Sequence, residues 1–279
     1  MNGADLETVL SFAAEVNSEA FINHYDELPL WSAPFGAALL ERVRMKPGAR
    51  VLDVGCGTGF PLLELAQRLG PDCRAVGLDP WGAALTRAQT KARRWGVGQA
   101  AFVRGRAEDM PLPAGVFDVV VSNLGVNNFA DPAAAAAECY RVTAPRGQFV
   151  LSSNLRGHMA EFYVVFAACL RDLGLSGALD ALEAHVAHRA TPDRLRTLLE
   201  GAGYREIVVT GGSFPMRFSG GRALLRHYFI QLGFLDGWKA VVPPAQRAAV
   251  FAEAERRLEQ MGELTLTIPW AVVEGVKAA

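Results

Sequence analysis

A glycine-rich segment at residues 51–59, Val-Leu-Asp-Val-Gly-Cys-Gly-Thr-Gly, constrains this chain more than any other part. Its apolar first half predicts a buried β-strand that contains Asp53, and its alternating glycines predict a turn. A second apolar run ends in another acid, Asp79, 20 residues after Gly59. A strand, a glycine turn, a helix and a second strand that ends in an acid are typical of a parallel α/β sheet that binds an adenosine-containing ligand.

The spacing of the glycines distinguishes between two kinds of ligand. A dinucleotide fingerprint, Gly-x-Gly-x-x-Gly, needs a glycine at position 60, where this chain has Phe60. A dinucleotide also brings a pyrophosphate to the helix N-terminus, and Asp53 beside the turn would repel it. An ammonium group would instead donate a hydrogen bond to Asp53. The segment therefore favours S-adenosylmethionine, which has an amino-acid end and no phosphate.

Several further segments, together with this one, resemble the motifs of the class I S-adenosylmethionine-dependent methyltransferases, in the small-molecule branch that includes enzymes of ubiquinone and menaquinone biosynthesis. In chain order they are Val51–Gly59, Val76–Pro80, Gly105–Pro113, Phe117–Asn123 and Ala144–Gly147. The resemblance covers about residues 45–211 and the C-terminal strand. It implies a doubly wound, seven-stranded, mostly parallel sheet of the Rossmann-like type.

The resemblance also implies a set of cofactor-binding residues. Gly55, Gly57 and Gly59 would let the backbone approach the methionine and the ribose, and Asp79 would bind both ribose hydroxyls. Pro80, Ala107 and Glu108 would lie near the adenine, and the backbone around Asn123 and Leu124 would face the methionine. The remaining expected contacts come from the N-terminal segment and the glycine turn: Tyr25, Asp53, Cys56 and Phe60.

Two positions depart from the family pattern. Arg106 stands where the family often has Asp or Asn, and a guanidinium cannot accept a hydrogen bond from the adenine amino group. Arg146 replaces the first glycine of the family's Gly-Gly turn, which indicates a different turn.

Plainer interpretations remain open for several of these residues. The glycine segment could be an ordinary tight turn, and Asp53 could cap a helix. Glu108 and Asp109 could form a solvated acidic turn. For Cys56, packing within the turn is favoured over chemistry.

The pattern of apolar residues predicts alternating strands and helices, as expected for a doubly wound sheet. Residues 5–46 are expected to be mostly helical, with interruptions at Pro29 and Pro34. The later elements are predicted at helices 61–69, 82–95, 133–142 and 191–203, and at strands 100–104, 117–122, 148–152, 204–210 and 264–276, the last of them interrupted by Pro269.

We expect a single domain over 1–279, with an N-terminal helical cap at 1–46 and insertions at 156–190 and 212–263. Long connections in a compact domain usually have a function or their own structure, and we interpret both insertions as a lid over the ligand crevice. The second insertion is rich in aromatic residues, which favours an apolar or aromatic small substrate; packing is the alternative role for each ring. These residues are Phe214, Phe218, Tyr228, Phe229, Phe234 and Trp238.

Composition excludes several other functions. The net charge of −1 provides no basic excess for nucleic acid, and the fourth strand lacks the Asn/Asp-Pro-Pro-aromatic motif of base-modifying methyltransferases. The four cysteines show no metal-site spacing, so we expect reduced thiols and no metal. With no signal segment and no membrane span in the sequence, we expect a cytoplasmic enzyme, and a homodimer is one assembly compatible with it.

Methyl transfer needs no obligatory catalytic residue, because the sulfonium methyl group is already activated. The enzyme must hold the acceptor atom in line and in some cases remove a proton. The candidate residues for proton removal are His24, Tyr25 and His227, and an ordinary structural role is the alternative for each. His158 is a further histidine of this kind, and His185 and His188 are expected on an exposed helix.

The sequence thus predicts methylation of an apolar or aromatic small molecule, on oxygen or carbon in preference to nitrogen. Two alternatives remain: a non-catalytic S-adenosylmethionine-binding protein, and a nicotinamide-dependent oxidoreductase, which Phe60 and Asp53 disfavour.

Overall fold

The computed structural model describes residues 3–28 and 30–279, without the side chains of Gly3 and Ala4. Residues 1, 2 and Pro29 of the expected N-terminal cap lie outside the described part. The chain divides into two compact units. The sheet unit contains residues 16–154, 190–212 and 270–279, and the helical unit contains residues up to 15, 155–189 and 213–269.

Seven strands form one sheet in the order β3-β2-β1-β4-β5-β7-β6. The pairs β1–β2, β1–β4, β2–β3 and β4–β5 are parallel, and β7 runs antiparallel to β5. This arrangement confirms the predicted doubly wound, mostly parallel sheet. The strands are β1 Arg50–Val54, β2 Arg74–Asp79, β3 Ala100–Arg104, β4 Phe117–Asn123, β5 Thr143–Asn154, β6 Arg205–Phe218 and β7 Leu264–Val276.

Apolar side chains explain why β1 and β4 lie at the centre of the sheet. Val51, Leu52 and Val54 are completely buried, as expected for a parallel strand covered by helices on both faces. The register pairs Asp53 with Gly77 on one side and with Val121 on the other. The carboxyl ends of β1, β2 and β4 therefore meet at one edge, which is where ligands bind in open α/β sheets.

The helices of the sheet unit begin and end largely as their capping residues predict. Thr191 accepts a hydrogen bond from the Arg194 amide, Pro192 occupies the first turn, and Gly203 ends the helix with a φ of 107°, which confirms the prediction for this helix. The helices are α2 Glu19–Asp26, α3 Ser32–Leu40, α4 Leu62–Leu69, α5 Gly82–Arg94, α6 Pro132–Val142 and α9 Pro192–Ala202.

Both expected interruptions by proline that lie within the described residues are wrong. Pro34 lies in the first turn of α3, where a backbone donor is not needed. Pro269 lies within the continuous strand β7. The pairing of β7 with β5 ends at Trp270, so Pro269 lies beyond the paired residues and need not donate a hydrogen bond to β5. Its carbonyl accepts a hydrogen bond from the Leu155 amide.

The helical unit contains most of both predicted insertions. Its interior is aromatic: the rings of Phe162 and Trp238 stack at 4.0 Å, and Phe166 and Phe251 are fully buried. The single-domain organisation and the lid role stay predictions. Its helices are α1 Gly3–Leu10, α7 Ala160–Asp172, α8 Ser176–Ala187, α10 Gly221–Arg226, α11 Tyr228–Ile230, α12 Asp236–Val241 and α13 Arg247–Gln260.

Candidate cofactor site and residues of the helical unit

The glycine turn follows β1 in a conformation that glycine favours. Gly55, Gly57 and Gly59 have φ values of 78°, 50° and 100°, which side chains rarely adopt. A Cβ atom added at Gly57 would meet no atom within 4 Å, whereas one at Gly59 would press on Leu63 and Ala88. Gly57 thus leaves open space beside the backbone, and Gly59 allows close packing between helices α4 and α5.

Asp79 links the end of β2 to this turn. One carboxylate oxygen accepts from the Gly57 amide and the other from the Trp81 amide, each at 2.8 Å. Burial raises the pKa of Asp79, and these two hydrogen bonds act in the opposite direction. The carboxylate therefore holds the turn in place and keeps further lone pairs for a ligand.

Asp53 lies in a different environment from Asp79. Its side chain is fully buried, and neither carboxyl oxygen has a hydrogen-bond partner of normal geometry among the described residues. Burial, and then the charge of Asp79, raise the pKa of Asp53 to about 8, although the Leu62 amide acts to lower it. Around neutral pH this acid is therefore largely protonated beneath the turn.

Cys56 and Phe60 pack against other parts of the sheet unit. A Cβ atom at Gly77 would lie 2.6 Å from the Cys56 sulfur, and one at Gly36 would overlap the Phe60 ring. Burial raises the pKa of the Cys56 thiol well above its ordinary value, so this thiol is inert. Pro80 is exposed, and its carbonyl accepts from Arg104.

Helix α2 brings Tyr25 towards Asp79. The Tyr25 ring meets Trp81 edge-on at 5.3 Å and Phe21 at 6.3 Å. Burial raises the pKa of Tyr25, and the charges of Asp79 and Asp26 add to this. His24 is exposed on the same helix.

Buried ion pairs fix α2 to α5. Asp26 accepts hydrogen bonds from Arg87 and Lys91, and its side chain is only 8% exposed. Burial raises the pKa of Asp26, but hydrogen bonds from Lys91, Thr58 and Arg87 outweigh it and lower the pKa. Because Thr58 belongs to the glycine turn, Asp26 connects the N-terminal helix to that turn.

The ends of β4 and β5 form a network of buried polar side chains. Asn123 accepts from the Ser152 hydroxyl at 2.6 Å and donates to the Ser32 carbonyl at 3.3 Å. Asn127 donates to Asn154 at 2.8 Å and accepts from the Ser153 hydroxyl at 2.7 Å.

This network holds the turn after β4 in an unusual conformation. Leu124 has a φ of 63°, which is rare for a residue with a side chain, and its amide donates to Ser152. Sequence reasoning missed the roles of Ser152, Ser153 and Asn154; their only signal is three polar residues in succession where a buried strand ends.

The Glu108 carboxylate has partners within the protein. Its carboxylate accepts from the amides of Ala130 and Asp131, at 2.7 and 3.3 Å, and lies 3.4 Å from the Arg106 guanidinium. Burial raises the pKa of Glu108, but backbone hydrogen bonds and Arg106 outweigh this and lower it. Ala107 beside it is buried.

The helical unit contains the remaining candidate, His227, between α10 and α11. Its ring meets Phe218 at 5.5 Å, and its Nδ1 atom is buried without a hydrogen-bond partner among the described residues. His158 is almost completely buried; the Leu155 backbone acts on its ring as a hydrogen-bond partner, but no partner of normal geometry lies among the described residues. Helix α8 is largely exposed, with His188 exposed after its end, whereas His185 is half-buried and its Nε2 atom lies 3.3 Å from the Tyr163 hydroxyl.

Comparisons with known proteins identify the family. Residues 52–151 match the family model described as a methyltransferase domain. Nocamycin O-methyltransferase from Saccharothrix syringae is 30% identical over 260 residues, which cover 87% of this chain and 90% of that protein. Demethylmenaquinone methyltransferase from Geobacillus kaustophilus (strain HTA426) is 33% identical over 112 residues, covering 40% and 48% of the two chains.

Solved structures show the same fold at low sequence identity. An S-adenosylmethionine-dependent methyltransferase from Aquifex aeolicus has a TM-score of 0.52 and 20% identity, with 67% of this chain and 89% of that one covered. Phosphoethanolamine N-methyltransferase 2 from Haemonchus contortus, in complex with S-adenosylmethionine, has a TM-score of 0.54 and 17% identity over 88% of this chain and 52% of that one. With the long match to a methyltransferase, these findings show that the chain belongs to the class I S-adenosylmethionine-dependent methyltransferases that act on small molecules.

Proposed function

We propose that the glycine turn and the end of β2 hold S-adenosylmethionine. The observation that carries this proposal is the open space at Gly57, next to the Asp79 carboxylate that its own amide contacts. A Cβ atom at Gly57 would enter that space without meeting any atom of the described residues within 4 Å, although the φ of 50° disfavours a side chain there. The Asp79 carboxylate beside this turn suits a cationic ligand and disfavours a phosphate.

Within this site, Asp79 binds the ribose hydroxyls through its remaining lone pairs. The backbone of Ala107 and the exposed ring of Pro80 face the adenine, while Glu108 fixes the loop before α6. The backbone at Asn123 and Leu124 faces the methionine end. Tyr25 covers the ribose side from α2, and the buried Asp53 supports the turn from the end of β1.

When bound, the cofactor supplies a methyl group on a positively charged sulfur. The task of the chain is then to orient the acceptor and exclude water. The Asn123–Ser152 and Asn127–Asn154 hydrogen bonds serve this task by holding the turn after β4 rigid.

We propose an apolar or aromatic small molecule as the acceptor, with oxygen as the favoured atom. The relative that matches over 260 residues is named an O-methyltransferase, whereas the demethylmenaquinone methyltransferase matches over only 112 residues. The aromatic interior of the helical unit agrees with an apolar acceptor.

Calorimetry with S-adenosylmethionine tests the cofactor site. Asp79→Ala should weaken binding by about 1–3 kcal/mol through lost charge-assisted hydrogen bonds, and Asp79→Asn should weaken it less. Asp109→Ala, an exposed acid in a neighbouring loop, serves as the matched control. Unchanged affinity in a folded Asp79→Ala variant would exclude the ribose assignment.

Methyl turnover with a panel of phenols, quinols and carboxylic acids tests the acceptor. Exclusive methylation of amines would contradict the proposed acceptor atom. No helix in the described residues is long and apolar enough to cross a bilayer. The cytoplasmic location and the homodimer stay predictions, which cell fractionation and light scattering test.

A further inference from the structure

Helix α2 of the sheet unit has an acid at each end. Glu19 begins the helix and Asp26 ends it. A negative charge stabilises the first turn of a helix and destabilises the last turn, so Asp26 is unfavourable for α2 taken by itself. Proteins break such local rules where the tertiary structure or the function requires it, and the contacts of Asp26 show which requirement applies here.

Two cations of α5 hold the Asp26 side chain. The carboxylate accepts a hydrogen bond from Arg87 at 2.8 Å and another from Lys91. Both cations are themselves largely buried. Removing one partner of a buried ion pair leaves the other charge uncompensated. The three charges therefore favour one position of the end of α2 on α5.

A third contact joins Asp26 to the glycine turn. The Thr58 hydroxyl donates a hydrogen bond to the Asp26 carboxylate, and Thr58 is buried between Gly57 and Gly59. The Gly57 amide in turn donates to Asp79. Asp26 thus contacts the neighbour of the residue whose backbone organises the proposed cofactor site.

Trp81 holds the beginning of the same helix. Its indole donates to the Val16 carbonyl and to the Asn17 side chain, each at 3.2 Å, just before the capping residue Ser18. Its backbone amide donates to Asp79 at 2.8 Å. The two ends of α2 are therefore attached on either side of the Asp79 carboxylate.

Tyr25 lies between these two attachments, next to Asp26. Its ring packs against Trp81 and Phe21, and 41% of the residue is exposed, so part of the ring is accessible to a ligand. The charge of Asp79 contributes to the raised pKa of Tyr25, which shows that the phenol and the carboxylate are close. A helix of eight residues is only marginally stable by itself, so the position of this ring depends on the contacts that hold α2.

We propose that Asp26 is a positioning residue for the cofactor. By attaching the end of α2 to the glycine turn and to α5, it holds the Tyr25 ring over the ribose side of the site. It acts through Tyr25 and takes no part in methyl transfer itself. The proposal rests on the proposed function, because it requires the cofactor to lie at the glycine turn and Asp79.

Calorimetry of the full chain with S-adenosylhomocysteine tests this role. Asp26→Ala should weaken binding about tenfold, and Asp26→Glu, which keeps the charge, should recover most of the affinity. If Asp26→Ala does not fold, Asp26→Asn takes its place, because the amide oxygen still accepts one hydrogen bond. Glu19→Ala is the matched control: it removes an exposed acid from the favourable end of the same helix and should leave the affinity unchanged.

A double-mutant cycle with Tyr25 separates positioning from a general loss of stability. A general loss would weaken binding by the same factor whether or not Tyr25 is present. If Asp26 acts through Tyr25, Asp26→Ala should weaken binding by less than about twofold in a Tyr25→Ala background. Hydrogen exchange gives a second measurement, because S-adenosylhomocysteine should slow the exchange of the amides of residues 19–26 in the wild type and do so much less in Asp26→Ala.

Three results would overturn the proposal while leaving the cofactor site intact. They are unchanged affinity in a folded Asp26→Ala variant, an equal effect of this substitution with and without Tyr25, and undiminished protection of residues 19–26 in Asp26→Ala. A wild type that does not bind S-adenosylhomocysteine would overturn the proposed cofactor site and, with it, the role of Asp26. The wild-type titration therefore distinguishes the two failures.

Discussion

The sheet unit and the helical unit treat buried polar groups differently. In the sheet unit, Asp79, Asn123 and Asn127 all have hydrogen-bond partners, and Asp53 is the exception among the residues described. In the helical unit, His158, Arg189 and His227 each have a buried nitrogen without a hydrogen-bond partner of normal geometry in the described part of the chain.

The two kinds of buried polar group have opposite effects on the folded protein. A satisfied network fixes the backbone before any ligand arrives, whereas an unsatisfied buried group costs about 1–3 kcal/mol of stability. Such a cost persists where function requires it. The sheet unit is thus held in place by satisfied hydrogen bonds, whereas the helical unit retains buried polar atoms that bear this cost.

We expect the largest effect at Asp53, where the free energy of unfolding should depend on pH. Asp53 is the buried acid of the sheet unit without a hydrogen-bond partner of normal geometry among the described residues. The unfolded chain ionises this carboxyl near its ordinary pKa of about 4, whereas the folded protein keeps it protonated up to a pKa of about 8. Between these values the unfolded state binds fewer protons. The free energy of unfolding therefore falls as the pH rises, by up to about 1.4 kcal/mol per pH unit.

Asp53→Asn removes this titration, so urea unfolding at several values between about pH 5 and pH 8 should show a flatter slope than wild type. Asp109→Asn, at an exposed position, should leave the slope unchanged. Parallel slopes for Asp53→Asn and wild type would mean that the buried acid is ionised and has an unrecognised partner.

The sequence predicts those parts of the fold that depend on local chemistry better than those that depend on long-range packing. The glycine turn and the helix between Thr191 and Gly203 follow from local chemistry that depends on few neighbours. Because Gly211 and Gly212 resemble a turn, the sequence predicts that strand β6 ends at Thr210. The strand in fact continues to Phe218. The Trp270 indole lies where a Cβ atom at Gly212 would be, so this glycine serves packing within the sheet.

Long-range packing also explains what the sequence could not show about the sites. The sequence does not show which of its five histidines are buried, and only the fold reveals that His158 is almost completely buried. Asp53 looks like a ligand-facing acid, and only the fold places it beneath the turn. Arg146, where the family has glycine, nevertheless adopts a φ of 62°, the left-handed conformation that glycine favours.

Gly125 tests how tightly the sheet unit is organised. A Cβ atom there would lie 2.4 Å from the Ser122 hydroxyl and 2.9 Å from the Val54 carbonyl. Gly125→Ala should therefore lower the free energy of unfolding by about 2–3 kcal/mol, since backbone must move. Gly98→Ala is the control, because a Cβ atom there meets no atom of the described residues within 4 Å. Equal melting temperatures for the two variants would show that the turn after β4 is loosely packed.

Asn127 tests the satisfied network directly. Asn127→Leu removes the partner of the Asn154 side chain and one of the two acceptors of the Ser153 hydroxyl, so we expect a loss of about 1–3 kcal/mol in chemical unfolding. Asn128→Leu changes an exposed neighbour and should stay within about 0.5 kcal/mol of wild type. If Asn127→Leu lowered the free energy of unfolding no more than Asn128→Leu does, hydrogen bonds would not preorganise this turn.

His158 should give the smallest effect and the sharpest contrast with Asn127. Its nitrogens have no partner of normal geometry among the described residues. His158→Phe, which keeps an aromatic ring against Tyr163 and Phe234, should therefore change the free energy of unfolding by no more than about 1 kcal/mol. S-adenosylhomocysteine affinity should be unchanged. His158→Ala calibrates the measurement, because the cavity it leaves should cost about 2–4 kcal/mol. If His158→Phe proved as costly as His158→Ala, the imidazole would have a stabilising partner, and the contrast between the two units would not hold at this residue.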